Sequence, residues 1–208
     1  MAKKINGVVI RQKMLIKVAP LIAQKWNTTI TKLAIIEAQR LYDDLCADHA
    51  DESKAVQKHT RAMIYPSISL YVALQHVGIE KEEALEFMDV CCSRLAEIRA
   101  NDIRMLMQLP GLYRCAPAIF GYVASHRFGE AAGFRATFYP EQGKGRFDMT
   151  HCLYHEVCVR EGCPELTVCF CHTDDVTCGN MHPKVCWHRT QTIGEGAEYC
   201  DFELSLKE

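Results

Sequence analysis

The sequence predicts an α+β protein: a helical segment over residues 1–129, then a second domain over 133–208 in which an antiparallel sheet carries two crossover helices. Three observations predict it. Apolar residues recur at three-to-four spacing through the first part, the period drops to two after Gly129–Gly133, and the last third twice shows an alternating run, a glycine-bearing turn and a second alternating run.

The elements follow in order. Met14, Leu15, Val18, Leu21 and Ile22 mark a first helix. Ile30, Leu33, Ala34, Ala38, Leu41, Tyr42 and Leu45 mark a second behind the cap-like Asn27-Thr28-Thr29. A third runs from about Thr60 to Val77, tolerates Pro66 near its first turns and ends at Gly78. From Glu80 to Leu109, acids in the first turn precede a stripe of Leu85, Met88, Cys92, Leu95 and Ile98, and Pro110-Gly111 stops the helix. A fifth begins near Ala116, with Pro117 close to N1, and reaches Gly129. Then Phe134, Ala136 and Phe138 alternate, Glu141-Gln142-Gly143-Lys144-Gly145 turns, and Phe147 and Met149 alternate again. Leu153–Arg160 and Pro164–Cys178 read as short helices. In a last hairpin, Val185, Trp187 and 189–193 form one arm, Gly194-Glu195-Gly196 the turn, and 198–204 the other arm.

With 208 residues, 49% hydrophobic and 24% charged, the chain can bury a core, which excludes disordered, collagen-like and fibrous classes. A net charge of -2 leaves no cationic excess for a phosphate backbone, so nucleic acid is not an expected partner. The charge is uneven, with 19 basic and 15 acidic residues up to position 144 and 5 against 11 afterwards, an asymmetry that two solvated faces of one protein explain. No run approaches the roughly 18 to 20 apolar residues that span a bilayer, and the N-terminus, with Arg11, Lys13 and Lys17, lacks the pattern of an export signal. The expectation is a cytoplasmic protein without a membrane partner, with self-association through the N-terminal helices left open.

Twelve cysteines are the unusual count, and eight lie between positions 152 and 200. In a reducing compartment such clustering means buried thiols, metal ligands or a nucleophile. A structural zinc site takes ligands two to four residues apart in a tight turn. No Cys-x-x-Cys occurs here, so thiols without metal or cofactor are expected.

The succession Phe147-Asp148-Met149-Thr150-His151-Cys152-Leu153-Tyr154, then Pro164-Glu165-Leu166, Phe170-Cys171-His172-Thr173-Asp174, Arg189-Thr190-Gln191-Thr192, Gly196 and Cys200-Asp201-Phe202 resembles the L-2-amino-thiazoline-4-carboxylic acid hydrolase family. The resemblance is specific over about 133–204 and diffuse over the helices. Cys152, the Cys171-x-x-Asp174 pair and Cys200-Asp201-Phe202 stand at its signature positions. It implies hydrolysis of a small cyclic isothiourea: water adds to the amidine carbon, the C–S bond opens and N-carbamoyl-cysteine forms.

Such chemistry needs a carboxylate for the amidinium, a base or nucleophile, an acid for the departing thiolate and a cation for the substrate carboxylate. Asp174 or Asp201 suits the first, Cys152 or His182 the second and third, and Arg189 the last, because a guanidinium grips a carboxylate at two points. Cys152, Asp174 and Cys200 are the expected catalytic residues; Arg189, Cys171, Thr192, Asp201 and His182 are the expected substrate contacts. Cys152 is the expected reactive thiol, because at a strand-to-helix junction the free amides of a helix start lower a thiol pKa. A weaker similarity to small-molecule-binding domains of the 4-vinyl reductase type rests on the Gly196-to-Phe202 pattern. There Arg189 and Thr192 would replace a Glu and a Cys that hold a metal, which fits an anionic organic ligand better than a cation. The alternative function is non-catalytic binding of a small molecule.

Overall fold

Two polar side chains set the first helices. Gln12 closes over the start of α1 (Lys13–Lys25), its Oε1 accepting from the amides of Met14 (2.5 Å) and Leu15 (3.2 Å). Asn27 does the same for α2 (Thr28–Asp48) through the Ile30 amide at 2.9 Å. Both satisfy amides that have no partner inside a helix.

The structure is a computed structural model that describes residues 3–5, 8–139 and 144–207. The chain divides into two units, Met1–Cys91 and Cys92–Glu208, with the division inside α5 (Lys81–Met107). The architecture is α+β, as the sequence predicts, although the first part is not purely helical. β1 (Lys3–Ile5) and β2 (Val8–Ile10) pair antiparallel ahead of α1. Strands of three residues are too short to betray themselves by alternation.

In the N-terminal unit α2 packs on α4 (Tyr65–His76), and Ala34, Ile35, Ala38, Ile64, Leu70, Tyr71 and Leu74 are buried. The face of α2 differs slightly from expectation: Leu33 is exposed and Ile35 is buried in its place. The third helical run starts earlier than Thr60, because Ser53 caps α3 (Lys54–His59) through the Val56 amide. It reaches α4 through a π turn, Thr60–Ile64.

Pro66 explains that turn. Within it the Tyr65 amide bonds to the carbonyl of Thr60, five residues back, and Pro66 has no amide to offer the carbonyl of Arg61. Side chains take over: Gln12 Nε2 and Tyr42 Oη each donate to Arg61 O at 3.3 Å.

On α5 the buried residues are Ala84, Phe87, Met88, Cys91, Cys92, Ala96, Ala100 and Met107, most of them recurring at three or four residues. This corrects the expected stripe at Ile98, which is exposed. The helix ends before Pro110 and Gly111, the latter at φ +79°.

In the C-terminal unit α6 (Ala116–Arg127) covers one face of a sheet ordered β3-β4-β6-β5, all antiparallel: β3 (Arg135–Tyr139), β4 (Lys144–His151), β5 (Val185–His188) and β6 (Cys200–Leu206). Of the expected turn at 141–145, residues 141–143 lie outside the described residues, and Lys144 and Gly145 open β4. β4 buries Gly145, Phe147 and Met149, one residue in two. On the same face Phe147 meets Phe202 at 4.7 Å, Phe138 at 5.1 Å and Phe120 of α6 at 5.6 Å. Gly145 is needed where it stands, since a Cβ there would collide with the carbonyl oxygen of Pro117 in α6.

Between β4 and β5 run the two crossover helices, α7 (Leu153–Arg160) and α8 (Thr167–Cys178), the second preceded by a 3-10 turn at Pro164–Leu166. The last hairpin differs from expectation in one arm. β5 stops at His188, residues 189–192 leave the sheet, and Ile193–Glu195 form a 3-10 turn capped by the Thr192 hydroxyl. Arg189 and Cys200 therefore do not lie on paired strands.

Candidate functional site

β4 and β6 are antiparallel, so the last residues of one lie beside the first of the other; Met149 pairs with Cys200. Cys152, just past β4, is the extended N-cap residue of α7. Cys200 points to the buried face of the sheet, and its sulfur accepts from the Ile193 amide at 3.2 Å. Cys171 joins from α8. Its sulfur lies so close to the Cα of Gly194 that a Cβ there would sit 2.9 Å from Sγ. Cys152 feels both Cys200 and Cys171 electrostatically, and Thr192 acts on Cys171. Three thiols from three elements thus share one end of the sheet.

A fixed guanidinium closes the cluster. Arg189, with 7% of its side chain accessible, donates to the Cys171 carbonyl (3.0 Å) and to Asp175 Oδ2 (2.5 Å), and stands 3.6 Å from Asp174 Oδ2. Asp175 Oδ1 in turn accepts from Trp187 Nε1 at 2.8 Å. Two-residue alternation would have sent Arg189 and Thr192 to opposite faces. Both are buried because the chain leaves the strand after His188.

The electrostatics separate the thiols from the carboxyl. Burial pushes Cys152 up to about 12 and Cys171 up to about 11, and raises Cys200 as well. The amides of His155 and Tyr154 at the start of α7 favour the Cys152 thiolate, as expected of a helix start, but removal from water outweighs them. This corrects the expectation of a low-pKa thiol: all three are protonated at neutral pH. Asp174 is raised to about 7, chiefly by the surrounding protein, with Asp175 adding to the rise while Arg189 and Arg99 oppose it. Its side chain nevertheless keeps 44% accessibility, so small molecules can reach it.

Of the residues expected from sequence, Cys152, Cys171, Asp174, Arg189, Thr192 and Cys200 come together. Asp201 and His182 do not join them. Asp201 follows Cys200 in β6 and so takes the opposite face, where its Oδ1 accepts from the amides of Thr190 and Gln191 (both 2.9 Å) and its Oδ2 from the Thr190 hydroxyl (2.6 Å). These bonds hold its pKa low against burial, and they explain why residues 189–192 leave the strand. His182 stacks on Tyr113 at 4.4 Å and accepts from the Lys184 amide.

Three further residues belong to the site. Asp175 orients Arg189. Tyr154, between Phe134 and Phe170, is raised by burial and next by Cys152, with Asp174 adding to the rise. Arg99 on α5 acts on both Tyr154 and Asp174 and has no ion-pair partner among the described residues. Only the doublet Asp174-Asp175 carried any sequence signal for the first, and Arg99 had none. Among the described residues no group of three or more His, Cys, Asp or Glu is arranged to hold a metal ion, and no helix is long and apolar enough to cross a membrane.

The family model for L-2-amino-thiazoline-4-carboxylic acid hydrolase matches residues 57–204, which includes the whole cluster. No curated protein and no solved structure matches the chain.

Proposed function

From the membership of this chain in the L-2-amino-thiazoline-4-carboxylic acid hydrolase family, we propose that it is an enzyme that opens a small carboxylated cyclic isothiourea with water. The observation that carries the reading is Asp174, an accessible carboxyl raised to about 7 beside three neutral thiols. A group titrating near the working pH both accepts and returns a proton efficiently. In the proposed reaction Asp174 takes a proton from water as its oxygen bonds to the amidine carbon. The C–S bond then breaks as the adduct's hydroxyl becomes the carbonyl and its proton goes to the ring nitrogen, while the proton held by Asp174 passes to the departing sulfur, giving N-carbamoyl-cysteine from 2-aminothiazoline-4-carboxylate.

The other residues take matching roles. Cys152, Cys171 and Cys200 give the ring sulfur a polarisable, uncharged bed, and the first amides of α7 stand ready for negative charge at the reacting carbon. Arg189 is a positioning residue, because its guanidinium is committed to Asp175 and the Cys171 carbonyl. Arg99 is the proposed anchor for the substrate carboxylate. The family match also favours hydrolysis over the binding-only reading.

Ring opening is followed by loss of thiazoline absorbance in folded variants. Arg99→Gln should raise KM about tenfold or more with kcat little changed, the pattern of lost uniform binding. Cys152→Ser should retain turnover within about tenfold. Abolished turnover in Cys152→Ser, together with a covalent adduct on the wild-type thiol seen by mass spectrometry, would replace the water mechanism with a thiol one.

A further inference from the structure

The N-terminal unit holds a cavity of about 370 Å³ that the hydrolytic reading does not use. It opens between the start of α1, the middle of α2 and the π turn, and three cations line it, Arg11, Lys13 and Arg61, against one carboxylate, Asp43. We propose that this cavity binds a small organic dianion, a phosphate monoester or a dicarboxylate.

Its wall is built and fixed. Gln39 Oε1 accepts from the amides of Arg11 (3.0 Å) and Gln12 (3.1 Å), and its Nε2 donates to Asp43 Oδ1 at 3.0 Å. Asp43 Oδ2 takes Arg11 Nη2 at 2.5 Å, so that carboxylate is spent on one cation. The missing amide of Pro66 leaves the Arg61 carbonyl to Gln12 and Tyr42, which pins Arg61 against the cavity.

What remains unsatisfied is cationic. Arg61 Nε is buried and has no hydrogen-bond partner, an arrangement that costs free energy until an acceptor arrives. Lys13 has no ion-pair partner among the described residues. The lining therefore carries two positive charges in excess, which a dianion neutralises and a neutral molecule does not. The volume suits a small metabolite. Arg11, Gln12, Lys13, Gln39, Tyr42 and Asp43 precede residue 57, where the family match begins, while Arg61 and Ala62 lie just inside it, so most of the lining stands outside what this chain shares with its family.

The test is calorimetric titration of the full chain with phenyl phosphate and with succinate, using glucose as an uncharged control. The expected result is one site per chain for at least one dianion, weakening as salt rises, with the stronger probe identifying the source of the charge. Affinity should fall tenfold or more in Lys13→Gln and in Arg61→Gln, while Lys13→Gln leaves ring opening unchanged. If Arg61→Gln does not fold, Lys13→Gln decides alone. No binding of either dianion, equal binding of glucose, or undiminished affinity in folded variants overturns the proposal; none of these results bears on Asp174.

Discussion

Each unit sets a carboxylate beside an arginine, and the two carboxylates titrate in opposite directions. In the N-terminal unit Glu37 receives both arms of Arg40, at 2.9 and 2.7 Å, and the ring of His76 at 2.9 Å; its pKa falls to about 2, with the Arg40 hydrogen bonds the largest cause. In the C-terminal unit Asp174 stands 3.6 Å from a guanidinium that has already given its shorter bonds to Asp175 and a carbonyl, and its pKa rises to about 7. Proximity to a cation is therefore not enough. A carboxylate is held ionised when the cation's donors are aimed at it, and loses that hold when those donors are committed elsewhere.

The sharpest way to break this contrast is Asp174→Asn. It should lower kcat by about 10² to 10⁴-fold and erase a pH–rate limb near 7, the range expected for loss of a general base. Its effect on stability has the opposite sign. A carboxyl raised above its unfolded value of about 3.9 favours folding fully only below that value, and this contribution is lost as the pH rises towards 7. Asp174→Asn should thus melt higher than wild type above pH 7, with the gap closing towards pH 4. A lower melting temperature throughout would show that the ionised form is the stabilised one.

An intermediate effect is expected for Asp175→Asn, which removes the neighbouring negative charge and frees Arg189 to turn to Asp174. The pH midpoint of kcat should fall below 7, and kcat should drop about tenfold as the carboxyl loses its orientation. An unmoved midpoint would mean that Asp175 does not shape the titration. The smallest effect belongs to Glu37→Gln. Its lowered pKa contributes stability above about 4.3, lost as the pH falls towards 2, so the melting temperature at pH 7 should drop by less than about 4 °C, less still in high salt, with ring opening untouched.

What could be read in the sequence follows the range of the forces involved. α7 and α8 are legible because apolar spacing and the breaks at Gly162 and Gly179 act within a few residues, and so is the strand-to-helix junction that places Cys152. The departure of residues 189–192 was not, since the amides of Thr190 and Gln191 are captured by a side chain ten or eleven positions away. Nor was the state of Cys152: a helix start is a local feature, whereas the burial that outweighs it comes from the whole unit. Asp201 belongs to the family pattern, which makes it an expected substrate contact, but adjacent strand residues face opposite ways and Asp201 takes the side away from Cys200.

The crowding of the cysteines also bears on handling and labelling. Alkylating agents and peroxides attack the thiolate, so thiols kept neutral by burial react slowly whatever their number. Cys115 is exposed, whereas the remaining eleven are buried or half-buried. A brief pulse of a maleimide dye should therefore mark a protein with twelve free thiols at essentially one place, the turn ahead of α6, giving a spectroscopic handle without any engineering.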